Sequence, residues 1–280
     1  MRILKTKIEI QNVLKEYEEH GKSIGFVPTM GALHEGHMSL IYQAKEENDI
    51  CVCSIFVNPT QFNEANDLEK YPRQLDQDIT FLEAAYCDVL FLPEVEEMYP
   101  ANEESINFEF GKLAEVMEGK SRPGHFRGVA TIVKKLLDIV TPTTAYFGKK
   151  DYQQLLIIRS VCQQYNISTE IIGCDIVREE DGLAMSSRNQ RLSKKQREEA
   201  SFIYSVLEYT SLTGRRMSVN ALKEWVSKKI NQNSEMNLEY FELSDADDLT
   251  PIEEWGNGQK AMAFIVVNMG DVRLIDNIEL

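Results

Sequence analysis

Two histidines three residues apart, His34 and His37, lie in the run Pro28-Thr29-Met30-Gly31-Ala32-Leu33-His34-Glu35-Gly36-His37, between an apolar strand (24–27) and an amphipathic helix. That spacing can place both imidazoles on one side of a first helical turn. A helix starting near Gly36 aims unpaired backbone N–H groups and the positive end of its dipole over the turn, where an anion can bind. Gly31 and Gly36 let a ligand approach the backbone closely. The chemistry indicated is that of phosphate. Helix capping and a metal pair are the other uses of such histidines, but a zinc peptidase needs HExxH, and no Cys or His with ligand spacing stands nearby.

Three more polar clusters interrupt apolar segments in the same way. Asn58-Pro59-Thr60-Gln61 follows Val57 and by itself reads as a turn that stops a strand. Gly148-Lys149-Lys150-Asp151-Tyr152-Gln153-Gln154 follows Phe147. Two lysines at a helix start oppose the dipole, at ~0.3–1 kcal/mol each, which suggests an anionic ligand. Met185-Ser186-Ser187-Arg188 comes after Val177 and offers two hydroxyls and a guanidinium fork suited to phosphate oxygens. Arg122 and His125, in Arg122-Pro123-Gly124-His125-Phe126, would serve a tight turn and a surface salt bridge equally well. Ligands of open α/β sheets bind outside the carboxyl ends of the strands. The clusters after Val27, Val57, Phe147 and Val177 all fall there, so four loops would surround one crevice.

The elements that must carry those loops follow from periodicity. Thr6-x-x-Glu9 is a capping-box pattern that opens a helix over 6–20, closed by His20-Gly21. Ile50 to Val57 is nearly all apolar, as in a parallel strand buried on both faces. Leu75, Ile79 and Leu82 mark a helix, and strands are expected at 88–92 and, briefly, at Ile106–Phe110, beyond a polar stretch at 101–104. A strong helix carries Val129, Ile132, Val133, Leu136, Leu137 and Val140 and ends before Pro142; strands follow at 144–147 and about 167–177. The rhythm then changes to a charge-dense helix capped by Ser193, a helix over 221–230 and strands near 238–243, 261–268 and 272–275. The fold expected is α/β, a Rossmann-like doubly wound parallel sheet over residues 1–180 with a smaller C-terminal α+β domain over 181–280. The Met185-to-Arg188 loop would sit at the seam.

Composition limits the partners. The 280 residues are 43% hydrophobic, enough for a large core, and the net charge of −15 argues against nucleic acid. Small anionic substrates would need locally concentrated cations. No window approaches the ~18 uncharged apolar residues of a membrane helix. Charge interrupts the first residues too often for a signal peptide, so the cytoplasm is the expected location. The five cysteines, without CxxC spacing, read as buried free thiols.

Together the segments 28–37, 56–62, Tyr71-Pro72-Arg73, 122–126, 146–154 and 181–189, in this order, resemble the pantoate–β-alanine ligases (pantothenate synthetases), of the HxGH nucleotidyltransferase-like superfamily. The resemblance is nearly full-length, closest over 24–191, with one departure: Lys149 stands where many relatives carry an acidic residue. It implies ATP-dependent joining of (R)-pantoate to β-alanine through pantoyl adenylate, releasing AMP and diphosphate. It further implies that His34, His37, Lys150 and Arg188 are catalytic, His37 being a candidate proton donor. ATP contacts are implied for Met30, Gly31, Gly36, Gly148, Lys149, Asp151, Val177, Met185, Ser186 and Ser187 as well, with Gly148 and Val177 beside the adenine. Gln61, Gln154 and Asn58 would hold pantoate, and Gln61 also β-alanine. Mg²⁺ would arrive mainly on the triphosphate rather than on protein ligands, the C-terminal domain would mostly cover the site, and the enzyme would be a homodimer. A nucleotidyltransferase of the same superfamily, which would leave the nucleotide on its product, and a nucleotide-binding module without turnover are the alternatives.

Overall fold

The computed structural model describes residues 1–63, 65–101 and 106–280. The elements run β1 (Arg2–Leu4), α1 (Lys7–Glu19), β2 (Ile24–Thr29), α2 (Glu35–Glu47), β3 (Ile50–Ile55), α3 (Ala65–Glu69), α4 (Leu75–Ala84), β4 (Val89–Phe91) and α5 (Val95–Met98). They continue with α6 (Met117–Ser121), α7 (His125–Val140), β5 (Thr144–Gly148), α8 (Tyr152–Gln164), β6 (Glu170–Cys174), α9 (Lys194–Ala200), α10 (Phe202–Thr213) and α11 (Val219–Asn231). The antiparallel strands β7 (Asn237–Asp245), β8 (Ala261–Met269) and β9 (Val272–Glu279) close the chain.

The first six strands form one parallel sheet in the order β1-β4-β3-β2-β5-β6. Strand order reverses between β2 and β5, so the crevice of a doubly wound sheet must open above the carboxyl ends of those two strands. Both faces of the sheet are covered. Along β3, Ile50 and Val52 join the core under α1 and α7, while Cys51, Cys53 and Ile55 join the core under α2 and α4. All five cysteines are buried and free, two of them because period-two alternation sends them to the second of these cores. Thr6 and Glu9 form the capping box of α1, Glu9 N donating to Thr6 Oγ1 at 3.2 Å and Thr6 N to Glu9 Oε2 at 3.0 Å. No helix among the described residues is long and apolar enough to cross a membrane.

Some expectations need correction. Ile106–Phe110 is not a strand: Phe108 packs on Ala130 and Val161, and Gln164 and Tyr165 of the α8 end bond the backbone of 107–109 in place of a ladder. The strand expected at 167–177 is limited to β6, five residues long. Residues 102–104 of the expected polar stretch lie outside the described residues. β1 and α10 were not expected from periodicity and are present.

A three-stranded sheet covered by α10 and α11 follows, with its own core that begins at Leu183. One buried ion pair ties it to the chain leaving β6. Arg178 donates to both carboxylate oxygens of Asp276 on β9, at 2.6 and 3.0 Å, with its guanidinium 4.0 Å from the Tyr204 ring. Asp276 is only 5% exposed, so losing it strands a desolvated cation. Asp276→Asn is expected to cost ~3–5 kcal/mol in urea unfolding, and Arg178→Met with Asp276→Leu to recover much of that because no buried charge is left alone. Equal losses in the single and double variants would refute this account.

Candidate functional site

The turn after β2 is built from two consecutive left-handed residues, Gly31 at φ 78° and Ala32 at φ 50°. Such a turn points its amides inward, where each needs an acceptor. Asp78 of α4 supplies both: Oδ2 accepts from Ala32 N at 2.9 Å and Oδ1 from Leu33 N at 2.7 Å. A Cβ on Gly31 would stand 3.0 Å from that carboxylate, so the position requires glycine on two counts. Thr29 Oγ1 completes the turn, accepting from Gly31 N and donating to the Ser54 carbonyl.

The turn delivers the histidines in one geometry. His34 is the N-cap of α2, and its Nδ1 accepts from Gly36 N at 3.2 Å; His37 Nδ1 in turn accepts from His34 N at 3.4 Å. A backbone N–H can only donate, so both Nδ1 atoms are unprotonated and both rings carry their proton on Nε2. Burial pushes His34 down to about 4, and Lys150 adds to the effect. Burial, then His34 and Lys150, hold His37 well below the ordinary range. The result is a pair of neutral N–H donors, ring centres 4.1 Å apart, facing a cavity of about 230 Å³. One arrangement thus both caps the helix and turns the two rings toward the cavity.

Loops from β2, β3, β5 and β6 line this cavity, and Val129, Ile132, Val133 and Leu136 of α7 form its apolar wall. Met30, Gly36, Asn58, Gln61, Gly148, Lys150, Asp151, Gln154, Val177, Met185, Ser186, Ser187 and Arg188 all reach it with the two histidines. Gly31 and Lys149 do not. Gly31 serves the turn, and Lys149 points to Asp175 at 2.6 Å.

Several adjacent residues have opposite tasks. Gln154 faces the cavity, whereas Gln153 is buried, donating to the carbonyls of Leu113 and Val116 and accepting from Glu118 N. Asn58 reaches the cavity wall, but its amide is committed inward: Nδ2 donates to Gln61 Oε1 and the Gly128 carbonyl, and Oδ1 accepts from Tyr99 and Thr60 hydroxyls. A Cβ on Gly128 would collide with the Thr60 carbonyl, so this loop rests directly on the α7 backbone.

Sequence reasoning missed four supports. Asp78 is the first. Arg122 and His125 do more than make a turn and a surface salt bridge: Arg122 pairs with Glu118 at 3.6 Å in a largely buried position, His125 Nδ1–H donates to the Gln61 carbonyl at 2.8 Å and its Nε2 accepts from Arg122, which also reaches that carbonyl. Burial, then Arg122, pushes His125 down to about 4, matching a neutral ring with one donor and one acceptor. Tyr71 lines the cavity with its hydroxyl 3.4 Å from Ser187 Oγ. Asn277 of β9 donates to the carbonyls of Lys149 and Lys150, both at 2.9 Å, so the C-terminal sheet positions a cavity lysine.

A family model described as pantoate-beta-alanine ligase matches residues 2–279. A pantothenate synthetase of Porphyromonas gingivalis W83 is 46% identical over 279 residues, covering 100% of this chain and 99% of that one. One of Phocaeicola vulgatus is 49% identical over 280 residues, with the same coverage. Among solved structures, pantothenate synthetase from Thermus thermophilus superposes with a TM-score of 0.92 at 40% identity, covering 99% of each chain. Pantoate-beta-alanine ligase from Francisella tularensis, complexed with beta-gamma ATP and beta-alanine, does so with 0.83 at 39% identity, covering 99% of this chain and 97% of that one.

The neutral histidines have a consequence in acid. Their ordinary value is 6.5, and His34 and His125 are held near 4 in the fold. Between those limits the unfolded chain binds protons that the native state refuses. Stability is therefore full above pH 6.5 and declines as pH falls toward 4, each histidine adding up to about 1.4 kcal/mol per pH unit. Urea midpoints at pH 7 and 5 should show the decline. Imidazole resonances of His34, His37 and His125 should stay constant over the same range, and a midpoint near 6.5 for any of them would contradict its assigned state.

Proposed function

The chain belongs to the pantoate–β-alanine ligase family and joins pantoate to β-alanine with ATP; we propose that it does so through pantoyl adenylate, with AMP and diphosphate as the other products. The observation that carries this route is the meeting of two neutral Nε2–H donors, Lys150, Ser186, Ser187 and Arg188 with two neutral amides, Gln61 and Gln154, in one cavity. An anion must attack an anion, so the site has to neutralise charge growing on the α-phosphoryl group and on the departing diphosphate. Fixed donors achieve this without reorganising during the step.

In this reading the Nε2–H groups of His34 and His37 donate hydrogen bonds to α-phosphoryl oxygens; His37, neutral in the empty site, would become a proton donor only after the arriving phosphate charge has drawn a second proton onto its ring. Lys150, Ser186, Ser187 and Arg188 hold the outer phosphates. Met30, Gly36, Asp151 and Met185 border the nucleotide, and Gly148 and Val177 its adenine. Gln61 and Gln154 can both donate and accept, which suits pantoate's hydroxyls and carboxylate; Gln61 also borders β-alanine. The amine of β-alanine then attacks the acyl carbon, and AMP leaves. The assignment is narrowed for three residues, since Gly31 acts by shaping the turn, Asn58 by holding Gln61 and Lys149 by holding Asp175.

Mg²⁺ fits the site as an ion brought by the triphosphate, whose charge it would neutralise; of the two carboxylates lining the cavity, Asp175 is held by Lys149 at 2.6 Å and Asp151 more loosely by Lys150 at 3.6 Å, so Asp151 is the one that would join its shell. A domain seam at residue 180 is supported by Cys174 belonging to a core of the parallel sheet and Leu183 to that of the C-terminal one. A homodimer is proposed on the family resemblance, and a cytoplasmic location on the pattern of charge and hydropathy along the sequence.

Isotope exchange between ATP and diphosphate tests the route. Exchange should require pantoate and not β-alanine, with AMP and an amide formed once β-alanine is added. His37→Ala should fold and lose ~10²–10³-fold in exchange rate, as removal of a preorganised donor does. Exchange without pantoate, or a fully active His37→Ala variant, would overturn the assignment.

A further inference from the structure

A second cavity, of about 510 Å³, also touches Lys150, Ser186 and Arg188 and continues past them to Arg122, Arg191 and Arg273. It opens between α3, α6 and the turn joining β8 to β9, and all but one of its lining side chains and its single glycine are polar or charged. Such walls offer nothing to an adenine ring. They also carry Asp67, Glu118, Asp151, Glu239 and Asp271; Glu118 and Glu239 engage Arg122 and Arg273, so the cations left to a small anion with several charges are Lys150, Arg188 and Arg191, guanidinium forks binding such oxygens in pairs.

Asp67 of α3 lines the second cavity beside Arg188, which lines both. One of its carboxylate oxygens accepts from Arg188 and the other from Arg191, both at 3.0 Å. Burial disfavours its charge, but the two guanidiniums outweigh that and hold the carboxyl below its usual range. One carboxylate thus bridges two cations as two oxygens of a phosphate group would. Among the described residues, Arg191 otherwise reaches only the Asp271 carbonyl, at 3.4 Å.

We propose that the second cavity is the exit and transient binding site of the leaving diphosphate, with Arg191 as its receiving cation and Asp67 as the internal carboxylate that occupies Arg188 and Arg191 in its absence. The proposal rests on the ligase reading. In adenylation a carboxylate oxygen of pantoate bonds to the α-phosphorus as the bond from that phosphorus to the α–β bridging oxygen breaks. The electron pair leaves with the diphosphate, which moves into the guanidinium-lined space. Asp67 and diphosphate compete for the same two cations, so the carboxylate weakens retention of the product and restores its ion pairs as the product leaves.

Calorimetric titration of the full-length protein with inorganic diphosphate alone tests this without turnover. Arg191→Met should weaken diphosphate binding ~10-fold, the scale of one charge-assisted hydrogen bond, and Asp67→Asn should tighten it ~3–10-fold by removing the competitor. In turnover assays the diphosphate inhibition constant should move in the same two directions while saturation by pantoate stays unchanged in Arg191→Met. Misfolding cannot imitate tighter binding in Asp67→Asn. Unchanged binding in Arg191→Met, or weaker binding in Asp67→Asn, overturns the proposal. A wild-type protein that binds diphosphate as described but releases none in the presence of pantoate would instead refute the ligase reading.

Discussion

The turn between β2 and α2 stands on one carboxylate. Asp78, 2% exposed, receives the amides of Ala32 and Leu33, and without it two left-handed residues would bury donors that have no acceptor. An unmade bond of that kind costs about 1–3 kcal/mol, which a left-handed non-glycine residue at Ala32 would add to rather than relieve. The start of α2 depends on this. The cap at His34, the acceptor role of both Nδ1 atoms and the direction of both Nε2–H groups are set by where the turn ends. The geometry of the histidine pair is here a problem of backbone hydrogen bonding before it is one of side chains.

The turn was legible in the sequence and its support was not, and the difference is one of range. Strand, glycine turn and helix start are local signals, and the convergence of four loops follows from the rule that binding sites lie at strand carboxyl ends. Asp78 sits 46 residues from Ala32, in a helix whose polar positions would ordinarily face water. Nothing in its own neighbourhood says that its carboxylate meets the turn. The same holds for adjacent pairs. Gln153 and Gln154, or Lys149 and Lys150, are chemically identical in sequence, and which one faces the cavity is decided by partners at 113–118 and 175. β1 has three residues, too few to show a period, and is a strand because β4 offers it a free edge.

The C-terminal sheet does more than cover. Arg273 on β9 bonds Glu118 of α6 through two nitrogens, at 2.8 and 2.6 Å, and Tyr240 of β7 donates to the same carboxylate. Glu118 N in turn binds Gln153 in the first turn of α8, and Asn277 holds the carbonyls just before it. The start of α8, where Lys150 and Gln154 face the cavity, is therefore gripped from both parts of the chain. A hinge between those parts would have to move this helix start as well, which ties any closure to the position of the lysine.

A chain of net charge −15 that binds a polyphosphate must solve an electrostatic problem locally. In the proposed reading, two devices in the site do so. The histidines are neutral when empty, so they contribute donors without the desolvation cost of buried cations, and their protons become easier to hold as phosphate charge arrives. The cations that remain are paired in advance: Lys150 with Asp151 at 3.6 Å, Arg188 with Asp67 at 3.0 Å. Binding a phosphate then exchanges one anionic partner for another rather than filling an open positive well. Affinity is moderated by that exchange, and a site that must release a diphosphate at every turnover gains from it, because grip that survives the chemical step would hold the product as firmly as the substrate.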